Sequence, residues 1–271
     1  MTRTQKADLV FADQAGSDRV DTTLLLEELK SRYRATGRPL DVSFRGIVGW
    51  VKPGDRLTHL VHPYPAKLLP HIAHFFAHAS SLRRVGSNVL DPFAGSGTVA
   101  LEASIAGAKP LVADANPLAL LVAKVKTTPY DSDVLVDEAR RLRDRVRRLR
   151  TAPSVKVLND HIWYFPDTKK TLERILRAVL EIEDESVRDF FRVCLSVAAR
   201  RLSRSDPSIS VPVRLEPKPR LPASANRAIR SHLRWLKEAS PSDEFFQIVQ
   251  ANIARVLTTN RAFRGRLQCV V

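Results

Sequence analysis

Sulfur is scarce in this 271-residue chain, which has two cysteines (Cys194 and Cys269) and one methionine. Two thiols cannot build a disulfide framework, so the expected compartment is reducing, namely the cytoplasm. No apolar run approaches the roughly 20 residues that a membrane-spanning helix needs, and no membrane partner is expected. Residues 1–16 are mostly polar, and Asp8 and Asp13 bracket the one short apolar stretch, which is not the pattern of a secretory signal. Acidic residues are also in deficit: 29 Asp and Glu against 44 Lys and Arg leave a net charge of +15. That balance favours a polyanionic partner, nucleic acid first. The chain holds 17 prolines but no Pro-Pro pair. What it does have is enough apolar material, 44% of residues, to bury a real core. No internal repeat and no low-complexity block is present.

Periodicity organises the rest. Leu25, Leu26, Leu29 and Tyr33 recur at helical spacing over residues 21–36, and Pro39 ends that pattern. Phe44 to Val51 reads as extended, and Lys52 to Asp55 as a turn. An apolar helix is expected from Pro70 to Ala79. Val85 to Leu90 reads as a short buried strand that runs into Asp91-Pro92-Phe93-Ala94-Gly95-Ser96-Gly97-Thr98. A helix over Val99–Ala106 follows, stopped by Gly107. Pro110 to Ala113 is a second strand, ended by Asp114. Asn116 and Pro117 open a third helix over Leu118–Lys126. Strand, turn, helix, strand, acidic residue and helix make a parallel βαβ unit. From Val134 the sequence turns helical, with Trp163-Tyr164-Phe165 between helices. A Pro-rich stretch runs from Pro207 to Pro222, and another helical region from Ala225 to Thr259, interrupted near Pro241. Gly265 introduces an apolar strand, Leu267–Val271. The expected fold class is α/β, a Rossmann-like, doubly wound but incomplete sheet with a mainly helical insert. Its expected parts are a loose helical segment (1–40), a cofactor-binding part (41–130), the insert (131–260) and a returning strand (261–271).

The turn between the first strand and its helix carries the chemistry. Two glycines allow a tight turn and close backbone approach, and the following helix points its N-terminal amides at whatever sits there. Asp114, 17 residues beyond Gly97, ends the next strand, where a carboxylate can accept hydrogen bonds from ribose hydroxyls. A P-loop is excluded because the Gly-Lys-Ser/Thr ending is missing. The dinucleotide fingerprint is excluded because the third glycine is missing. Asp91 repels a pyrophosphate but suits a positive amino group and a sulfonium. That charge preference points to S-adenosylmethionine.

Asp91-Pro-Phe-Ala-Gly-Ser-Gly-Thr98 resembles the first motif of the DNA amino-methyltransferases, which methylate N4 of cytosine or N6 of adenine. His62-Pro-Tyr-Pro-Ala-Lys67 is similar to the segment that closes over the methionine end of their cofactor. Asp114-Ala-Asn-Pro117 resembles their motif at the ribose. The resemblance is strong over residues 41–130 and looser beyond. It implies that Phe93, Ala94, Gly95 and Gly97 line the cofactor, and that Asp91 holds its amino or carboxyl end. Tyr64, Pro65 and Lys67 flank the methionine moiety, Asp114 binds the ribose, and Asn116 or Pro117 lies near the adenine.

The same family uses an Asp/Ser/Asn-Pro-Pro-aromatic tetrapeptide to hold and stack the flipped base. With no Pro-Pro pair, this sequence lacks it. Ser205-Asp206-Pro207-Ser208-Ile209 is the nearest string, and it reads as a Pro-terminated helix end. The order of parts puts the tetrapeptide after a strand such as Leu267–Val271, so the chain is expected to stop short of its catalytic loop. A second polypeptide supplying that loop, a truncated product and a non-catalytic DNA- or cofactor-binding subunit are the alternatives, with an RNA methyltransferase as a rival of similar fold.

Residues 140–150 carry seven arginines in eleven positions. Arg140, Arg143, Arg147 and Arg150 are candidate contacts to DNA phosphates, and a merely solvated helix face is the competing reading. Arg200, Arg201, Arg204, Arg214, Lys218 and Arg220 make a second basic region. Trp163, Tyr164 and Trp235 read as packing aromatics. His71, His74 and His78 fall at helical spacing but show no carboxylate in the pattern. They read as a helix-surface feature, and no metal is expected.

Overall fold

The computed structural model describes residues 21–51, 57–65, 67–84, 86–209 and 211–263. The chain opens with α1 (Thr23–Thr36), the short α2 (Phe44–Ile47), a 3-10 turn (Leu57–Leu60) and α3 (Pro70–Ala77). There follow β1 (Asn88–Asp91), α4 (Thr98–Ile105), β2 (Lys109–Val112) and α5 (Pro117–Thr127). The remainder is helical: α6 (Ser132–Arg148), α7 (Asp160–Trp163), α8 (Pro166–Leu180), α9 (Glu185–Arg201), α10 (Ala223–Glu238) and α11 (Pro241–Phe263). Among the described residues no helix is long and apolar enough to cross a membrane.

The βαβ unit read from the sequence is present. β1 and β2 pair in parallel, from Asn88 opposite Lys109 to Asp91 opposite Val112. A parallel pair needs a crossover, and α4 supplies it. Its residues Thr98 and Ala100 to Ile105 are all buried, as a helix covered on both sides requires. Gly107, at φ +85°, ends the crossover as expected. Asn116 caps α5 by accepting a hydrogen bond from the Leu118 amide at 3.0 Å. Among the described residues the sheet has these two strands only.

Two expectations are corrected. Phe44 to Val51 is not extended: Ser43 caps a helical turn through the Gly46 amide, and Phe44 packs edge-on to Phe75 with ring centroids 5.3 Å apart. Cap and packing together outweigh the β propensity of the apolar run. Residues 261–263, assigned to a returning strand, continue α11. Leu267–Val271, Lys52–Asp55 and most of the 1–40 segment lie outside the described residues.

The largest hydrophobic cluster is helical. Val122, Val125 and Tyr130 meet Leu135, Leu142, Ile175, Phe190, Phe191, Phe245 and Val249, contributed by α5, α6, α8, α9 and α11. The Tyr130 and Phe190 rings meet edge to face, 5.5 Å apart. Full burial of each such aromatic contributes about 1.5–3 kcal/mol. Core packing therefore runs continuously from the βαβ unit into the helical region. Asn252 of α11 reinforces this join, donating from Nδ2 to the Val61 carbonyl at 3.0 Å.

Candidate functional site

β1 delivers Asp91 to the start of the turn, and the backbone then folds onto the end of β2. The Ala94 amide donates to the Ala113 carbonyl (3.0 Å), and the Gly97 amide to the Ala94 carbonyl (2.8 Å). The Asp91 carboxylate accepts from the Phe93 amide at 3.2 Å. Across the turn, Asp114 accepts from the Gly95 amide through Oδ2 and from the Asn116 amide through Oδ1, each at 2.8 Å. These amides of Asn116 and Gly95 hold the Asp114 carboxyl below its ordinary pKa. Asn116 Nδ2 in turn donates to the Tyr64 hydroxyl at 3.0 Å. Two backbone connections and one side-chain bond thus lock the turn, the β2 end and the His62–Lys67 segment together.

The two glycines differ. Gly95, at φ +50°, has open space around it, the nearest contact to an added Cβ being Tyr64 Cε1 at 3.8 Å. Gly97, at φ +70°, lies against α5, and an added Cβ falls 2.6 Å from Ala123 Cβ. The close approach at Gly97 is between two parts of the chain, whereas the face at Gly95 is open to a ligand.

The structure brings Tyr64, Asp91, Gly95, Asp114 and Asn116 to one mouth, with Phe93 88% exposed at its rim. Pro65 is exposed beside it, and Ala94 is buried under the turn. Lys67 points elsewhere: its ammonium donates to the backbone carbonyls of His59, at 3.1 Å, and of His62. Burial, and the charge of Arg255, lower its pKa. It braces the segment from below. A second buried lysine, Lys126, reaches the turn from beneath and donates to Ser96 Oγ at 3.2 Å. Burial drives its pKa well below the usual lysine range. No local sequence pattern marks that contact, because it joins residues 30 apart in the chain.

Beside the same segment lies a cavity of about 500 Å³ walled by Pro63, Arg200, Arg201, Pro207, His232 and Trp235. Trp235 packs partly against the main core, as expected, but also faces this cavity. The arginine helix α6 divides its candidates. Arg140, Arg147 and Arg150 are exposed, with Arg140 paired to Asp137 at 3.0 Å. Arg143 instead lies over the Phe246 ring, 4.3 Å from its centroid.

The histidine reading is corrected. His71, His74 and His78 are not on a helix surface: all three are buried. α4 packs over that face of α3 and supplies the carboxylate that the local pattern lacked. Glu102 Oε2 lies 2.9 Å from His74 Nδ1, and Oε1 lies 2.8 Å from His59 Nε2. Burial alone would raise the Glu102 pKa, but the hydrogen bonds from both imidazoles outweigh it and hold the carboxyl well below its usual range.

Comparison with known proteins gives the class first: residues 60–138 match the family model for the RMKL-like methyltransferase domain (UPF0020). The chain therefore carries a methyltransferase domain of α/β type. Two particular relatives are "Type II methyltransferase M.MvaI" of Kocuria varians and "Type II methyltransferase M.MjaII" of Methanocaldococcus jannaschii. The first is 28% identical over 159 residues, covering 55% of this chain and 35% of the relative. The second is 30% identical over 157 residues, covering 55% of this chain and 29% of the relative. The match thus spans about a third of the length of these curated relatives. No solved structure is significantly similar to the chain. The matches support the DNA amino-methyltransferase-like family that the Asp91–Thr98 turn suggested.

Proposed function

We propose that this chain binds S-adenosylmethionine at the Asp91–Gly97 turn and supplies the cofactor-binding part of an enzyme that methylates an exocyclic amine in DNA, N4 of cytosine or N6 of adenine. The observation that carries the reading is Asp114, whose two oxygens are each held by one backbone amide at 2.8 Å. A carboxylate offers about four acceptor positions, so the fixed oxygens keep capacity for two ribose hydroxyls. The open face at Gly95 leaves room for a ligand against the backbone. Asp91 places negative charge where the cofactor's amino group requires it, and Tyr64, tied to Asn116, flanks the same mouth. The residues present fit the cofactor. Bound there, S-adenosylmethionine supplies an electrophilic methyl group on a sulfonium. Arg140, Arg147 and Arg150 suit contacts to DNA phosphates, and the cavity at Trp235 and Arg201 extends a basic, aromatic surface beside the cofactor mouth.

The tetrapeptide that holds the target amine is not encoded in these 271 residues. In this reading it comes from chain outside them or from a second polypeptide. The same absence favours one other reading, a non-catalytic cofactor- and DNA-binding subunit.

Calorimetry with S-adenosylmethionine tests the site. Asp114→Ala removes charged hydrogen bonds worth about 1.5–3 kcal/mol, so affinity falls about ten- to hundred-fold. Absence of binding by the wild type, or unchanged affinity in the variant, refutes the assignment. Tritium transfer to DNA, with a candidate catalytic polypeptide added and omitted, separates the enzyme from the binding subunit.

A further inference from the structure

Four of the seven histidines, His59, His71, His74 and His78, gather around one carboxylate, Glu102. His74 and His78 project from one face of α3, one turn apart. Their rings stack with centroids 3.9 Å apart and planes 24° apart. One ligating atom from each of His74, His78 and Glu102 lies within 4.8 Å of the other two. All three side chains are buried.

The protons can be placed from the partners. His78 Nδ1 faces the His74 carbonyl at 3.1 Å. A carbonyl only accepts, so Nδ1 carries the hydrogen and Nε2 carries the lone pair. His74 Nε2 is buried and has no hydrogen-bond partner among the described residues. A buried acceptor without a donor is costly, and a purely structural tie between α3 and α4 needs only His74 Nδ1 and Glu102. It leaves unexplained the stacked second imidazole and the orphaned nitrogen.

We propose that His74, His78 and Glu102 bind a divalent transition-metal ion of the zinc class, which bolts α3 to α4 behind the glycine-rich turn. Two imidazoles at i and i+4 on one helix, with a carboxylate from a second, make a zinc-type donor set. Nitrogen donors disfavour magnesium and calcium. Donors around zinc sit about 3.4 Å apart, so small side-chain rotations close this set. His59 steadies the second carboxylate oxygen, as hydrogen-bonded neighbours of metal ligands do. Buried Lys126 does not oppose the cation, since burial favours its neutral form.

The full chain, stripped with a chelator and dialysed against Zn²⁺, is tested by elemental analysis of bound zinc and by thermal melting. One zinc per chain and a melting temperature that rises with Zn²⁺ are expected. His78→Ala and Glu102→Gln each weaken binding more than ten-fold, while His161→Ala, at an exposed histidine, changes nothing. Should Glu102→Gln fail to fold, His78→Ala decides. A wild type that retains no stoichiometric zinc, or zinc retained equally by His78→Ala, overturns the site. The readouts are metal content and stability, so they are independent of S-adenosylmethionine binding.

Discussion

Gly97→Ala and Gly95→Ala are changes of the same size, two residues apart, with different expected consequences. At Gly97 the new Cβ meets Ala123 Cβ at 2.6 Å and Ala123 Cα at 2.8 Å, at a φ of +70°. The left-handed conformation costs an L-residue about 1–2 kcal/mol. Overpacking against α5, where a backbone atom rather than a flexible side chain must yield, adds about 1–3 kcal/mol. The sum, about 2–5 kcal/mol, lowers the melting temperature by on the order of 10 °C for a chain of this size. At Gly95 the φ is +50° and the nearest atom is Tyr64 Cε1 at 3.8 Å, so only the conformational cost of about 1–2 kcal/mol applies. Its main effect is on ligand affinity, because the methyl fills the open face of the turn. Thermal melts and S-adenosylmethionine calorimetry on both variants separate the two roles. Ala123→Gly in the Gly97→Ala background recovers the contact cost but not the conformational one. Equal melting losses at Gly95 and Gly97, or no rescue by Ala123→Gly, refute the reasoning.

Acid provides a second test. Burial pushes His62 and His78 down to about 4, from an unfolded value near 6.5. Between those values the unfolded chain binds more protons, so stability is full above pH 6.5 and falls as pH drops toward 4. Urea midpoints measured from pH 7.5 to 4.5 show this, His78→Gln makes the fall shallower, and a flat profile contradicts it. On α6, Arg147→Glu weakens DNA binding and reduces the salt slope by about 1 without loss of stability. Arg143→Glu also destabilises the fold, because Arg143 covers the Phe246 ring. Identical melts for the two variants would remove that distinction.

Much of the local structure was legible because it depends on neighbours in sequence. β1, the Asp91–Gly97 turn, α4, Gly107, β2 and the Asn116 cap all use short-range patterns: apolar runs, turn glycines, an Asx cap. Phe44–Ile47 was misread because its helical turn depends on Ser43 and on packing against Phe75, which apolar content does not reveal. The histidines of α3 were misread for a related reason. Spacing on one helix shows which face they share, but not that α4 covers that face with Glu102.

The sequence by itself determined the composition of the site: the acid before the turn, the paired glycines, Asp114 at the second strand's end, and the missing Pro-Pro pair. Tertiary structure decided which roles those residues hold. It gave Gly97 to α5 and left Gly95 open. It turned Lys67 onto the His59 and His62 carbonyls. It placed Lys126 beneath Ser96 and gathered four histidines around Glu102. The physical reason is that turns and caps are set by backbone dihedrals and neighbouring side chains. Burial, ion pairing and close helix contact instead join residues far apart in the chain, and exist only once the helices have packed.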